Sequence, residues 1–230
     1  MSASARASAR LTVERLESGA SAAEAVLALR GDRRPAALVG AWAGGGAVLA
    51  SEPTRVAGPG DDPFALLDDL PALEAVDTAP GAVGGGWIGL LGFALGRRVE
   101  RLPPPPPARA ALPAHALAFY DHVLRLDATG AWWFEALWTP GRAGALAARR
   151  DELAARLRAA AGAEPRPFRA GPFAPAPPGA PGLRWAVAEA VGRIAAGELF
   201  QANLTMRLEG PLDGDPLDAF AAALAVAPRH

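Results

Sequence analysis

The sequence predicts an α+β fold, mainly antiparallel sheet with packed helices. Three observations carry this. Apolar runs come in pairs around short turns, as in hairpins: Ala36 to Trp42 with Ala47 to Ala50, and Leu117 to Asp127 with Trp132 to Trp138. Helical patterns lie between them without a regular strand–helix–strand rhythm. Of the 230 residues, 51% are hydrophobic and 20% charged, a balance that suits a packed core rather than disorder.

Met1 to Arg10 is Ser, Ala and Arg without the apolar core of a secretory signal, so residues 1–20 are expected as a disordered start. Ser21-Ala22-Ala23-Glu24 is a capping-box pattern and opens a helix through Leu29. The first hairpin turns around Gly44-Gly45-Gly46. Asp62-Pro63, with proline at the first helical position, starts another helix to about Leu70.

Gly84-Gly85-Gly86-Trp87-Ile88-Gly89-Leu90-Leu91-Gly92-Phe93 invites two nucleotide-loop readings. A phosphate loop needs a lysine, and there is none. A dinucleotide fingerprint on Gly84, Gly86 and Gly89 lacks a preceding strand, because Asp77 to Gly81 reads as a turn. These glycines are better read as letting a strand pass close to another backbone, or turn sharply.

Pro103 to Pro107 is a stiff extended connector. The second hairpin, around Ala128-Thr129-Gly130, carries Phe119, Tyr120, Trp132, Trp133, Phe134 and Trp138, which suit a packed sheet. Thr139-Pro140 starts a helix ending at Gly162, with Leu146, Leu153 and Leu157 on one stripe. Residues 163–182 hold seven prolines and read as a linker that separates a 21–162 domain from 183–230.

Beyond the linker, Trp185, Ala188, Val191 and Ile194 recur at helical spacing. Gly197 to Leu208 then reads as a strand. Phe200, Ala202, Leu204, Met206 and Leu208 face a core, while Gln201, Asn203, Thr205 and Arg207 line the other face. Asp215 caps a last helix, with Leu217, Phe220, Ala221 and Leu224 inward.

Composition excludes several chemistries. All 23 basic residues are arginine, so no lysine Schiff base or lysine general base is available. The absence of cysteine excludes disulfides and thiolate chemistry. His115, His122 and His230 are scattered, and His122 sits in a strand pattern, so no metal role is assigned to it. A net charge of −1 gives no electrostatic footprint for nucleic acid or an anionic membrane. No run of about 18 apolar residues is present, so no span is expected and cytoplasm is the default.

Four segments together resemble the chorismate-utilising enzymes, the family of anthranilate synthase and aminodeoxychorismate synthase large subunits. They are Ala47 to Pro53; Gly85 to Phe93 with Gly96 to Glu100; Ala118 to Asp121; and Gly197 to Arg207. The resemblance spans about residues 36–228 and is nearest the aminodeoxychorismate synthase (4-aminobenzoate) branch. It implies an N-terminal α+β domain followed by the first part of the chorismate-binding catalytic domain. In that family the position matching Gln201 resembles a switch: lysine accompanies addition of water, glutamine addition of ammonia. An amide has no useful basicity, so Gln201 is expected to orient substrate or nucleophile, with Asn203 as a weaker substrate contact.

The resemblance also implies a glutamine amidotransferase partner, with chorismate as substrate and Mg²⁺ as cofactor of the complete enzyme. The family's metal-binding acids and lysine-bearing segment would follow His230, so this chain alone is expected to hold no cofactor and to be inactive. A tryptophan effector pocket would fall on Leu38-Val39-Gly40-Ala41-Trp42, making Leu38 and Trp42 its candidates, although the family's Glu and Ser are lacking. Alternatives are an anthranilate synthase, a non-catalytic module that senses an aromatic metabolite or docks an amidotransferase, and a non-functional remnant.

Overall fold

A computed structural model of the chain describes residues 8–42, 45–74, 81–101 and 112–226. The expected turn at Asp77–Pro80, the Pro103–Pro107 connector and Gly44 of the first hairpin lie outside them. The mixed α+β class with antiparallel sheets is what the structure has. The chain divides into two compact units, residues 1–164 with 224–230, and residues 165–223.

The first unit runs β1 (Ser8–Leu16), α1 (Ala22–Leu27), β2 (Ala36–Trp42), β3 (Gly45–Ala50), β4 (Arg55–Val56), α2 (Pro63–Asp68), β5 (Ala72–Leu73) and β6 (Gly86–Leu91). A 3-10 turn follows at Phe93–Arg98, then β7 (His115–Tyr120), β8 (His122–Asp127), β9 (Trp132–Trp138) and α3 (Ala143–Ala160). One sheet has the order β2-β3-β8-β9-β1-β5, the other β4-β7-β6. All pairs are antiparallel except the short β1–β5 contact.

The pleat sorts the large sheet into two faces. His122, Leu124, Leu126, Trp132 and Phe134 share the face that carries α1 and α3, where Leu146, Leu153 and Leu157 are buried. Trp132 is fully buried, and its Nε1–H donates to Ala20 O at 2.8 Å. On the other face Val48, Ala50 and Val123 pack against Ala118 and Tyr120 of the small sheet, with Leu38 and Ile88 at the margin. Tyr120 closes this layer by donating its hydroxyl to Arg34 O at 2.7 Å. Burial pushes that phenol above its ordinary value.

Local signals account for the helix starts. Ser21 and Glu24 close the capping box in both directions, at 3.3 and 2.6 Å. Asp62 accepts from Phe64 N–H, with Pro63 at the first helical position. Gly85 sits at φ +142°, and a Cβ there would lie 2.5 Å from Tyr120 O, so only glycine lets this backbone pass.

Four expectations need correction. Residues 8–16 are not disordered: β1 pairs with β9 from Arg10↔Trp138 to Leu16↔Trp132. Arg10 lies over the Trp138 ring, so an arginine-rich stretch finds its partners across the sheet. Leu117 to Asp127 is not one strand, because the chain leaves the small sheet for the large one at Asp121. The long helix starts at Ala143 rather than at Thr139-Pro140, and Arg142 N–H donates to Thr139 O in the intervening turn. The proline-rich stretch 163–182 is not a featureless linker, since the second unit begins within it.

The second unit contains β10 (Arg169–Ala170), β11 (Ala174–Pro175), α4 (Gly179–Ala195), β12 (Leu208–Glu209) and β13 (Leu212–Asp213), and α5 (Pro216–Val226) starts there. β10 pairs with β13 and β11 with β12. Asp215 caps α5 through Leu217 N–H, and buried Asp218 accepts from Arg166 N–H at 2.9 Å. Ala221 is buried, while Leu217 and Leu224 are half-buried and Phe220 is exposed.

Glu135 on β9 is fully buried. It accepts from Arg125 Nε at 2.5 Å, Val83 N–H at 2.6 Å and Gly84 N–H at 2.9 Å. Replacing Glu135 by Gln leaves the buried Arg125 charge uncompensated and is expected to cost about 3–5 kcal/mol in chemical denaturation. Gly85→Ala is expected to cost on the order of 2 kcal/mol in the same measurement, because strain and overlap with backbone cannot be relieved by a side-chain rotation.

Candidate functional site

The expected site strand takes a different form. Helix α4 ends in a Schellman cap: Glu198 N–H donates to Arg193 O at 2.9 Å and Gly197 N–H to Ile194 O at 3.0 Å, with Gly197 at φ +74°. From there residues 201–207 carry no regular secondary structure, and only Leu208–Glu209 pairs, with β11. Phe200 is 97% exposed, and Leu204 and Leu208 are also exposed. A period of two fixes which side chains share a face, but a strand forms only where a neighbouring backbone completes the ladder. No described strand runs alongside 201–207.

Gln201 and Asn203 are both exposed on this segment in the second unit. The α4 stripe is solvent-facing as well, with Trp185 70% exposed and Val191 and Ile194 exposed. Leu38 lies in the first unit, half-buried against the inter-sheet core, and the Trp42 side chain falls outside the described residues. The structure thus divides the candidate residues between the two units.

In the first unit three of the resembling segments converge on the sandwich: Ala47 to Pro53 on β3 and its exit, Gly85 to Phe93 on β6, and Ala118 to Asp121 on β7 and its corner. Ser51, at the end of β3, donates to Asp32 Oδ2 at 2.8 Å. Arg149 and Arg156 of α3 hydrogen-bond the same carboxylate, and Arg156 also donates to Arg30 O. Burial raises the Asp32 carboxyl, but the bonds from Arg156, Arg149 and Ser51 outweigh it and hold it below its ordinary 3.8.

Asp121 marks the crossing between the sheets. Its Oδ1 is 2.9 Å from His122 Nδ1, its Oδ2 accepts from Arg142 Nε at 2.8 Å, and its carbonyl accepts from Leu137 N–H at 2.8 Å. Here too burial raises the carboxyl, and the hydrogen bonds from His122 and Arg142 bring it below 3.8. The His122 ring stacks on Phe134 at 5.7 Å, which gives it a packing role.

Beside this corner is a cleft of about 350 Å³, lined by residues of both sheets and of the loops at 69–71 and 139–142. Trp87 and Phe119 meet edge to face in its wall at 5.4 Å. Arg55 lies over Trp87 and pairs with Asp69 at 3.2 Å. The sequence reading missed this cleft. Its residues are far apart in the chain, and their one local signal was Tyr120-Asp121 interrupting an apolar run.

Among the described residues no group of three or more His, Asp and Glu could hold a metal ion. No described helix is long and apolar enough to cross a membrane.

Two mainly antiparallel sheets, packed helices and three converging motif segments define an α+β protein. The family profile described as chorismate binding enzyme matches residues 39–230, and the chain belongs to that family. A comparison with curated proteins found no match.

The carboxyls of Asp32 and Asp121 ionise more readily folded than unfolded. Their stabilisation is therefore fully present above about pH 4 and is lost as pH falls through their folded values, below 3.8. In circular-dichroism melts, Asp121→Asn is expected to lower the melting temperature near neutral pH. It is also expected to flatten the fall in melting temperature between about pH 4 and pH 2.

Proposed function

We propose that this chain is part of an aminodeoxychorismate synthase large subunit, which joins ammonia to chorismate to give 4-amino-4-deoxychorismate. The ammonia comes from glutamine through an amidotransferase partner. The observation that carries this reading is Gln201, an amide where water-adding relatives carry lysine, in a chain with no lysine at all. An amide donates and accepts hydrogen bonds but takes up no proton near neutrality. Gln201 can orient substrate or an incoming ammonia, and it cannot deprotonate water. Its exposure on a segment without ladder partners leaves the side chain open to ligand.

The branch assignment rests on the glycine-rich β6 segment, the proline-rich sequence that follows it and the Phe119-Tyr120-Asp121 corner. Mg²⁺ belongs to the proposed complete enzyme. The described acids do not fit a magnesium site, and no step is assigned through the metal to these residues. The 230 residues by themselves are proposed not to turn chorismate over.

Product analysis tests this. Purified chain given chorismate, ammonium and Mg²⁺ is expected to form no product. The complete large subunit with its amidotransferase is expected to form 4-amino-4-deoxychorismate, with Gln201→Lys lowering amination at least about tenfold, the scale of one lost orienting contact. Anthranilate as the product would assign the chain to the tryptophan branch instead, and turnover by the isolated chain would overturn its proposed dependence on further residues.

A further inference from the structure

We propose that the cleft beside Asp121 is a binding site for a small planar aromatic carboxylate, distinct from the Gln201 segment. Its volume of about 350 Å³ lies in the range of small-molecule sites and holds a single ring with short substituents. The wall is apolar and aromatic: Trp87 and Phe119 at one side, Leu137 and Leu70 at others. A small inorganic ion would leave its apolar wall unused.

The polar groups set the charge of the occupant. Arg142 uses its Nε on Asp121, and among the described residues its two terminal nitrogens donate to nothing. Arg55 uses one terminal nitrogen on Asp69, and its Nε and other terminal nitrogen donate to nothing described. The Thr139 hydroxyl also lines the cleft without a described hydrogen bond. Asp121 already has both oxygens engaged, by His122 and Arg142. The cleft therefore presents two guanidinium groups with spare donors beside two carboxylates, Asp121 with both oxygens engaged and Asp69 with one oxygen on Arg55, so spare donors outnumber open acceptors and an anionic group finds partners there. A guanidinium fork matches a planar carboxylate in two parallel bonds. The Trp87 Nε1–H in the same wall is buried without an acceptor, a second sign that the surroundings of this indole are incomplete.

This site does not depend on the reaction proposed above, because every lining residue lies in the first unit. Its occupant would act as a ligand of the fold, so its test reads binding and not turnover.

Isothermal titration of the full chain with benzoate and with 4-aminobenzoate tests it, with benzamide as the neutral analogue and acetate as the carboxylate without a ring. One saturable site with a Kd between about 1 μM and 1 mM is expected for the aromatic acids, and at least about tenfold weaker binding for benzamide and acetate. Arg142→Gln and Arg55→Gln are each expected to weaken benzoate about tenfold or more, as the loss of a charge-assisted pair predicts. Circular-dichroism melts identify folded variants. Should Arg142→Gln unfold by stripping a partner from buried Asp121, the half-exposed Arg55 carries the test. Absence of binding by both aromatic acids at about 10 mM would overturn the proposal, since a site that weak discriminates nothing. So would benzamide binding as tightly as benzoate, or unchanged benzoate affinity in both folded arginine variants.

Discussion

The first unit is organised around one buried carboxylate. Glu135 sits on the face of the large sheet that the small sheet covers, with no contact to water. An isolated carboxylate there would be prohibitively costly, so its neighbours are constrained to satisfy it. Arg125 supplies the counter-charge from the adjacent strand, and Val83 and Gly84 supply two backbone N–H groups where the chain enters β6. That second contact ties the small sheet to the large one. It also fixes where the glycine-rich strand begins, and so how closely Gly85 approaches Tyr120.

Asp121 is the second such point, at the place where β7 becomes β8. Two side chains compete successfully with its desolvation and keep it ionised. Holding Arg142 by its Nε turns the rest of that guanidinium toward a common purpose with Arg55, one cleft flanked by both sheets. A structural anchor and a ligand-binding feature thus share one residue. The Asp32 cluster does comparable work at the other face, where two arginines of α3 converge on a single carboxylate and fasten the helix to the loop after α1 and the exit of β3.

The second unit follows a different logic. Its small ladders and the α5 cap are satisfied locally. By contrast, α4 and residues 199–208 display large apolar side chains to solvent. Gln201 lies in this part. The chemistry proposed for it requires surroundings that the described residues of the unit do not supply, whereas the cleft of the first unit is built from residues all present.

Much of this was legible in the sequence because its causes are local. The Ser21–Glu24 capping box, the Asp62-Pro63 start and the Asp215 cap are settled within a turn of helix, and the leucine stripe of α3 within about three. For the glycines beside β6, close backbone approach and a sharp turn were both open, and the stacking of distant Tyr120 decided for the approach at Gly85. What the sequence could not determine was pairing. Ladder partners are distant in the chain, so Arg-rich residues 8–16 became a strand beside β9, while the well-patterned 200–208 segment mostly did not. The cleft was decided at the same level. Arg55, Trp87, Phe119 and Arg142 acquire a joint meaning only when two sheets stack, because burial and spare hydrogen-bonding capacity are properties of packed neighbours and not of any residue alone.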